Sequence, residues 1–321
     1  MSEFSIKLLT TEEHTYWNTL VTECHQPTIF HTTGFFEAFE KPVEIFLVKK
    51  GATPILGFIC SEGKRITLRP DFVPYFGIAI FVDPVKATQY YADTQKAYSI
   101  LIEQLKNRYK KISVRLAPSV SDIQSFVWSG FEIKLRYTYL VNIEDIEKAY
   151  MNLDTNLKRQ IRRGYKQEVT IHHNQDVVQY LDLFRATRSK KDNFSALLTR
   201  YQQYLQSVNS CSTMAIKNQN GDALAAIFFV WDNQRAYYLL GGYRSSHEDD
   251  NQSYTALALW EAMKFTRQQL GLYEFDLEGS MIPGVENFFR KFGGKKVPYY
   301  QLWYEQRGVW AQRISSILKR F

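Results

Sequence analysis

The chain has 321 residues, a formal net charge of +7, and 45% hydrophobic, 15% aromatic and 23% charged side chains, which excludes a disordered or fibrous polypeptide and suits two domains of roughly 150 residues. Its three cysteines, Cys24, Cys60 and Cys211, are too scattered for a disulfide framework or a cysteine metal centre, and no metal is expected. The opening MSEFSIKLLT lacks the features of a secretory signal and no apolar run nears the roughly 20 residues that span a bilayer, so a cytoplasmic protein with no transmembrane segment is expected.

The first half reads as a mixed α/β unit. Strand-like FSIKLL precedes a helix over residues 12–24 and a shorter one over 34–40. EIFLVKK and PILGFICSE form a hairpin about Gly51-Ala52-Thr53, and RITLRP and FGIAIFV continue the extended chain. A long helix over 87–109 carries Tyr91, Tyr98, Ile102 and Leu105 at the spacing of one buried face. KISVRLA, a short helix near 122–128 and LRYTYLVNI complete the half.

The second half repeats this order. A helix over 156–166 leads to VTIHH, then to helices over 177–188 and 197–208. TMAIKN, ALAAIFFVW and RAYYLLGGY are successive strands joined at Asn220-Gly221-Asp222 and Asp232-Asn233. A helix over 253–270, the strand YEFDL, a short helix and an aromatic strand close it. The division expected is an N-terminal domain over 1–142, a C-terminal domain over 143–308, and an amphipathic helix over 309–321. Both halves suit an α+β fold of mixed layers.

Four stretches carry a family resemblance: NLKRQIRRGYKQEV, GDALAAIFFV, YYLLGGY and FDLEGSMIPGVENFFRKFGGKKVPYY, in that order. Together they resemble the tandem GNAT proteins of the Fem type, and Phe-Phe-Arg-Lys-Phe-Gly-Gly is similar to that family's Phe-Lys/Arg-x-x-Phe-Gly signature. The resemblance implies two GNAT-like acyl-CoA N-acyltransferase folds in tandem. It implies transfer of an acyl or aminoacyl group to an acceptor amine. The implied acceptor is a peptidoglycan-precursor amine and the implied donor is aminoacyl-tRNA, with acyl-CoA the donor in other GNAT proteins. One departure concerns the donor. Where the family has a glycine-rich pyrophosphate loop, this chain has Arg244-Ser245-Ser246-His247-Glu248-Asp249-Asp250. Phosphate binds helix N-termini through free N–H groups, whereas three acids at that place repel it.

The candidate residues follow from what acyl transfer needs. An amine must lose a proton to attack an ester or thioester, and Asp276 and Glu278, alternating along a strand, are expected on one face with Glu278 as base. The plainer reading is that Glu278 caps the next helix or pairs with an arginine. Gly241 and Gly242, at a strand end, are candidate oxyanion donors or simply a turn. Tyr243 or Tyr254 offers a hydroxyl as general acid, and Ser280 lies in an open turn beside Glu278. Arg290 and Lys291, with Lys295 and Lys296, are a candidate anion clamp; basic residues in a last helical turn also suit the dipole alone.

Residues 143–321 hold 24 basic against 19 acidic side chains. Lys158, Arg162 and Lys166, with Arg159 and Arg163, make a basic stripe for tRNA or another polyanion, or a solvated face. His172-His173 point to opposite faces of a strand and are read as structural. The segment 309–321 is read as packing on its own domain, with contact to an anionic membrane surface as the alternative. Two other functions stay open: acyl-CoA-dependent acetylation of a small metabolite or sugar amine, and a non-catalytic module binding a nucleic acid or glycan precursor.

Overall fold

The computed structural model describes residues 3–24, 26–186, 194–244, 248–279 and 281–306. The chain forms two compact units, one from residues up to 135 and from 299 on, the other from 136–298. The segment 309–321 lies outside the described residues. Both crossings fall inside strands, not at the expected 142 and 308. Strand pairing decides which unit each strand end joins, and local composition does not report pairing.

In the first unit β1 (Phe4–Leu8) precedes α1 (His14–Glu23) and α2 (Thr33–Glu37). β2 (Val43–Lys50) and β3 (Thr53–Gly63) form the expected hairpin, β1 joins β2, and β4 (Ile66–Leu68) and β5 (Ile78–Ile80) both pair with β3. The helix α3 (Ala87–Arg108) buries Tyr98, Leu101, Ile102 and Leu105 among Phe46, Phe58 and Val114. Tyr91 is 56% exposed despite its helical phase, because it precedes the buried part of α3, which begins at Thr94. β6 (Lys111–Arg115) pairs antiparallel with Gln301–Glu305, and α4 (Gln124–Trp128) follows β6 in the chain.

The second unit begins within β7 (Glu132–Asn142) and continues through α5 (Ile146–Asn152), α6 (Thr155–Lys166), β8 (Thr170–Asn174), α7 (Leu181–Ala186) and α8 (Phe194–Ser207). It ends with β9 (Cys211–Lys217), β10 (Ala223–Trp231), β11 (Ala236–Tyr243), α9 (Glu248–Gln268), β12 (Glu274–Asp276), α10 (Pro283–Arg290) and the start of β13 (Lys295–Glu305). The strand order is β7-β12-β11-β10-β9-β8, with β11 and β12 parallel and the other adjacent pairs antiparallel. α5, which the sequence pattern did not suggest, starts where the Asp145 carboxylate accepts the N–H groups of Glu147 and Lys148 at 3.0 and 2.9 Å. Asp154 caps α6 in the same way, taking the Asn156 N–H at 2.8 Å. α6 then buries Leu157, Ile161 and Gly164 beside α9, in a core that includes Trp260, Met263, Phe275 and Phe289. No helix among the described residues is long and apolar enough to cross a membrane.

Candidate active site

β11 and β12 pair over two residues only, Ala236 with Phe275 and Tyr237 with Asp276. β12 stops there, while β11 runs on from Tyr238 to Tyr243. Parallel strands that part in this way bring the end of one beside the open edge of the other. Asp276 ends β12 with Glu278 just beyond it, and Gly241 and Gly242 lie on the stretch of β11 past the pairing.

At its closed end lies a half-buried ionic cluster. Arg235 pairs with Glu274 at 2.9 Å, and the Tyr237 hydroxyl donates to Asp232 at 2.7 Å. Burial works against the Arg235 charge, but Tyr237, Glu274, Asp276 and Asp232 around it hold the guanidinium above its ordinary value. Burial raises the Glu274 carboxyl, with Arg235 opposing. The cluster ties the two strands together just before they separate.

At the point of separation, Asp276 is fully buried and serves the backbone. Its Oδ1 accepts the Thr138 hydroxyl at 2.5 Å and the Glu278 N–H at 2.9 Å, and Thr138 Oγ1 accepts the Gly279 N–H at 3.3 Å. These bonds hold Glu278 at φ +47° and Gly279 at φ +76°. The expectation that Asp276 and Glu278 share one strand face is therefore corrected. The strand ends at Asp276, and Glu278, half-buried, lies in a left-handed turn beyond it. For a residue with a Cβ that conformation costs about 1 kcal/mol, and such strain is held only where surrounding bonds impose it. Ser280 lies outside the described residues.

The two glycines of β11 differ. Arg244 donates its N–H to the Leu224 carbonyl of β10 at 2.9 Å, so Gly242, two residues back, also faces β10. Gly241 then faces the β12 side, because N–H groups alternate along a strand. Of the two glycines, Gly241 is the one whose N–H lies on the β12 side. Gly242 has another cause: a Cβ there would collide with the backbone of Leu183 and Phe184 in α7.

Sequence reasoning passed over Tyr238. The register of β11 against β10 slips at Leu239, which is left as a bulge. Residues three apart in a regular strand face opposite ways, but the extra residue brings Tyr238 and Gly241 to one face. The Tyr238 hydroxyl accordingly lies where a Gly241 side chain would be, while its ring packs on Phe289 at 5.6 Å. Two glycines following a tyrosine were visible; the bulge was not.

The remaining candidates are more plainly structural. The Tyr254 hydroxyl donates to Gln167 just past α6. Tyr243 is exposed at the end of β11. Arg290 bonds Asn287 Oδ1 at 3.0 Å and lies 3.8 Å from Glu286, and Lys296 reaches Glu286 at 3.4 Å. Tyr139 also donates to Glu286, at 2.7 Å, so two of the four proposed clamp cations share one carboxylate. Lys291 contributes its carbonyl, which accepts the Asp154 N–H at 2.8 Å. On α6, Lys158 donates to the Met151 carbonyl at 2.6 Å and Arg162 to the Tyr150 hydroxyl at 3.2 Å. Arg159, Arg162, Arg163 and Lys166 are exposed, so the helix does present a basic face. His172 and His173 are exposed on β8. Among the described residues no three His, Cys, Asp or Glu side chains are grouped to hold a metal ion.

Residues 152–290 match the model of an acetyltransferase (GNAT) domain. By sequence, no curated protein matches the chain. Among solved structures, the chain is similar to FemX, with a TM-score of 0.67 at 12% identity over 92% of this chain and 96% of that one. It is also similar to the C-terminal domain of a putative lysylphosphatidylglycerol synthetase from Agrobacterium fabrum, with a TM-score of 0.57 at 13% identity over 92% of each. A tandem GNAT protein from the clavulanic acid biosynthesis pathway gives a TM-score of 0.57 at 9% identity over 95% and 99%. The chain therefore shares the fold of FemX and of this tandem GNAT protein.

Proposed function

We propose that the chain, with a GNAT domain in a tandem fold, is an acyltransferase of the GNAT superfamily that moves an aminoacyl group from aminoacyl-tRNA to an acceptor amine at the parting of β11 and β12. The observation that carries this reading is Glu278, a carboxylate fixed in a strained turn at that parting by Asp276 and Thr138. The acceptor nitrogen attacks the ester carbonyl and its proton passes to Glu278. The Gly241 N–H faces the edge where the oxyanion forms. The tetrahedral intermediate then collapses, the C–O bond to the ribose breaks, and the ribose oxygen takes a proton. The products are an amide and free tRNA.

Two features favour aminoacyl-tRNA over acyl-CoA as donor. α9 opens with Glu248-Asp249-Asp250, acids at the helix N-terminus where a pyrophosphate would otherwise dock. α6 offers the exposed basic face that a polyanion requires. The amine of a peptidoglycan precursor is the first acceptor to try, on the Fem resemblance.

Filter binding of aminoacyl-tRNA, paired with calorimetry on CoA, tests the donor. We expect tRNA binding that weakens steeply with salt, and charge reversal at Arg162 and Arg163 to weaken it further. Saturable CoA binding without tRNA binding overturns this donor in favour of acyl-CoA. Binding of either donor class with no turnover on any amine overturns catalysis in favour of a binding module.

A further inference from the structure

Large apolar side chains of the first unit stand exposed between residues 127 and 135: Val127 and Trp128 at the end of α4, Ile133 and Leu135 at the start of β7. Trp128 is 66% exposed. Ile133 and Leu135 alternate with Glu132 and Lys134, so both lie on one face of the strand. The link between α4 and β7 is tight. Gly130 donates its N–H to the Val127 carbonyl at 3.0 Å and Phe131 to the Phe126 carbonyl at 3.0 Å, with the Phe126 and Phe131 rings 5.2 Å apart. Apolar side chains grouped in this way on a surface mark a contact.

The end of β13 lies beside them. Tyr304 packs on Phe131 at 5.2 Å. The Lys106 ammonium reaches the Tyr304 ring at 4.6 Å and the carbonyl of Ser129, next to Trp128, at 2.5 Å. Gln306 then donates its N–H to the Lys110 carbonyl at 2.7 Å, and residues 307–321 follow. Their sequence, RGVWAQRISSILKRF, sets Trp310, Ile314, Ile317, Leu318 and Phe321 at the spacing of one helical face and contains no acid. Arg307, Gly308 and Val309 alone separate Gln306 from Trp310, a reach of about 14 Å at full extension. A tether that short keeps the apolar face of the segment at a high effective concentration near Phe131.

We propose that residues 307–321 dock on their own first unit, the Trp310, Ile314 and Ile317 face lying against Val127, Trp128, Ile133 and Leu135. The proposal is independent of the acyl-transfer reading, since its surface belongs to the first unit and its test involves no turnover.

Limited proteolysis of the full chain tests it, read by mass spectrometry as the rate at which trypsin cuts after Arg313. The wild type is expected to be cut there about tenfold more slowly than W128S or L135S, since cleavage tracks the population of the undocked segment. Equal rates in the wild type and both variants, all folded by circular dichroism, overturn the proposal. Slow cleavage that is lost on dilution assigns the surface to a second copy of the chain, and slow cleavage that appears only with phosphatidylglycerol vesicles assigns the segment to an anionic membrane. Either result overturns docking within the chain. If L135S fails to fold, W128S alone decides.

Discussion

Two neighbouring stretches of the second unit, Asp276–Gly279 and Phe288–Gly294, look alike in sequence: each has charged residues next to glycine. They differ in what holds them. Gly279 stands at φ +76° with nothing within 4 Å of where a Cβ would be, so packing does not explain it. The turn is fixed by hydrogen bonds from Asp276 and Thr138, and those bonds impose a left-handed backbone on Glu278. Gly293 stands at φ +72° with the Asn152 carbonyl 2.5 Å from a Cβ position, and Gly294 lies 2.9 Å from the Leu140 carbonyl on the same measure. Phe289 and Phe292 are buried in the core beside them, and Phe288 packs against it. The second stretch is an anchor whose glycines admit neighbouring backbone. The first is a strained turn without a packing cause, which is why the base is assigned there.

The largest expected effect separates the two directly. Glu278→Gln should lower kcat by about 100-fold or more while leaving the denaturation midpoint unchanged; an unaltered rate in the folded variant removes Glu278 as base. Next come the glycines. Gly293→Ala should lose about 2–4 kcal/mol in chemical denaturation, from strain plus the clash with Asn152, and Gly279→Ala about 1 kcal/mol from strain alone. Equal losses at the two positions would erase the contrast. Tyr238→Phe, which removes the hydroxyl beside Gly241, should lower kcat about tenfold with little change in KM or stability. If KM alone moves, Tyr238 binds substrate and does not assist the reaction.

The smallest effect concerns pH. The Tyr139 hydrogen bond, then that of Lys296, holds the Glu286 carboxyl below its ordinary value of 4.5. A carboxyl depressed in the folded state contributes stability that is present above the unfolded value and lost as pH falls through the folded one. Thermal melts of the wild type should therefore drop as pH falls below about 4.5, and Glu286→Gln should flatten that acid limb. The change reports on α10, and the Asp276–Gly279 turn should not contribute to it.

The fold was legible because its signals are local. The apolar runs of β2, β3, β10 and β11, the turn residues between them and the helical spacing of α3 and α6 each lie within about twenty residues. The capping aspartates Asp145 and Asp154 were equally local, yet α5, seven residues long, was missed between a strand and a longer helix. Of the site, Glu278 and Gly241 were legible as types at strand ends. That Gly242 faces β10 and that Tyr238 shares a face with Gly241 was not, since the first follows from strand register and the second from the bulge at Leu239.

By itself, then, the sequence determined the order and kind of the elements, the tandem arrangement and a short list of residues with the right chemistry, because periodicity, turn chemistry and charge are properties of neighbours along a chain. The tertiary structure alone decided which of those residues act together. The Asp276–Glu278 bond is local, but the turn gains its second tie, at Gly279, from Thr138, 138 positions away from Asp276. Lys296 became a partner of Glu286 only because β13 runs back beside α10. Contacts of that kind depend on strand register and on how far a strand pair runs before it parts, and both are fixed by packing between segments distant in the chain.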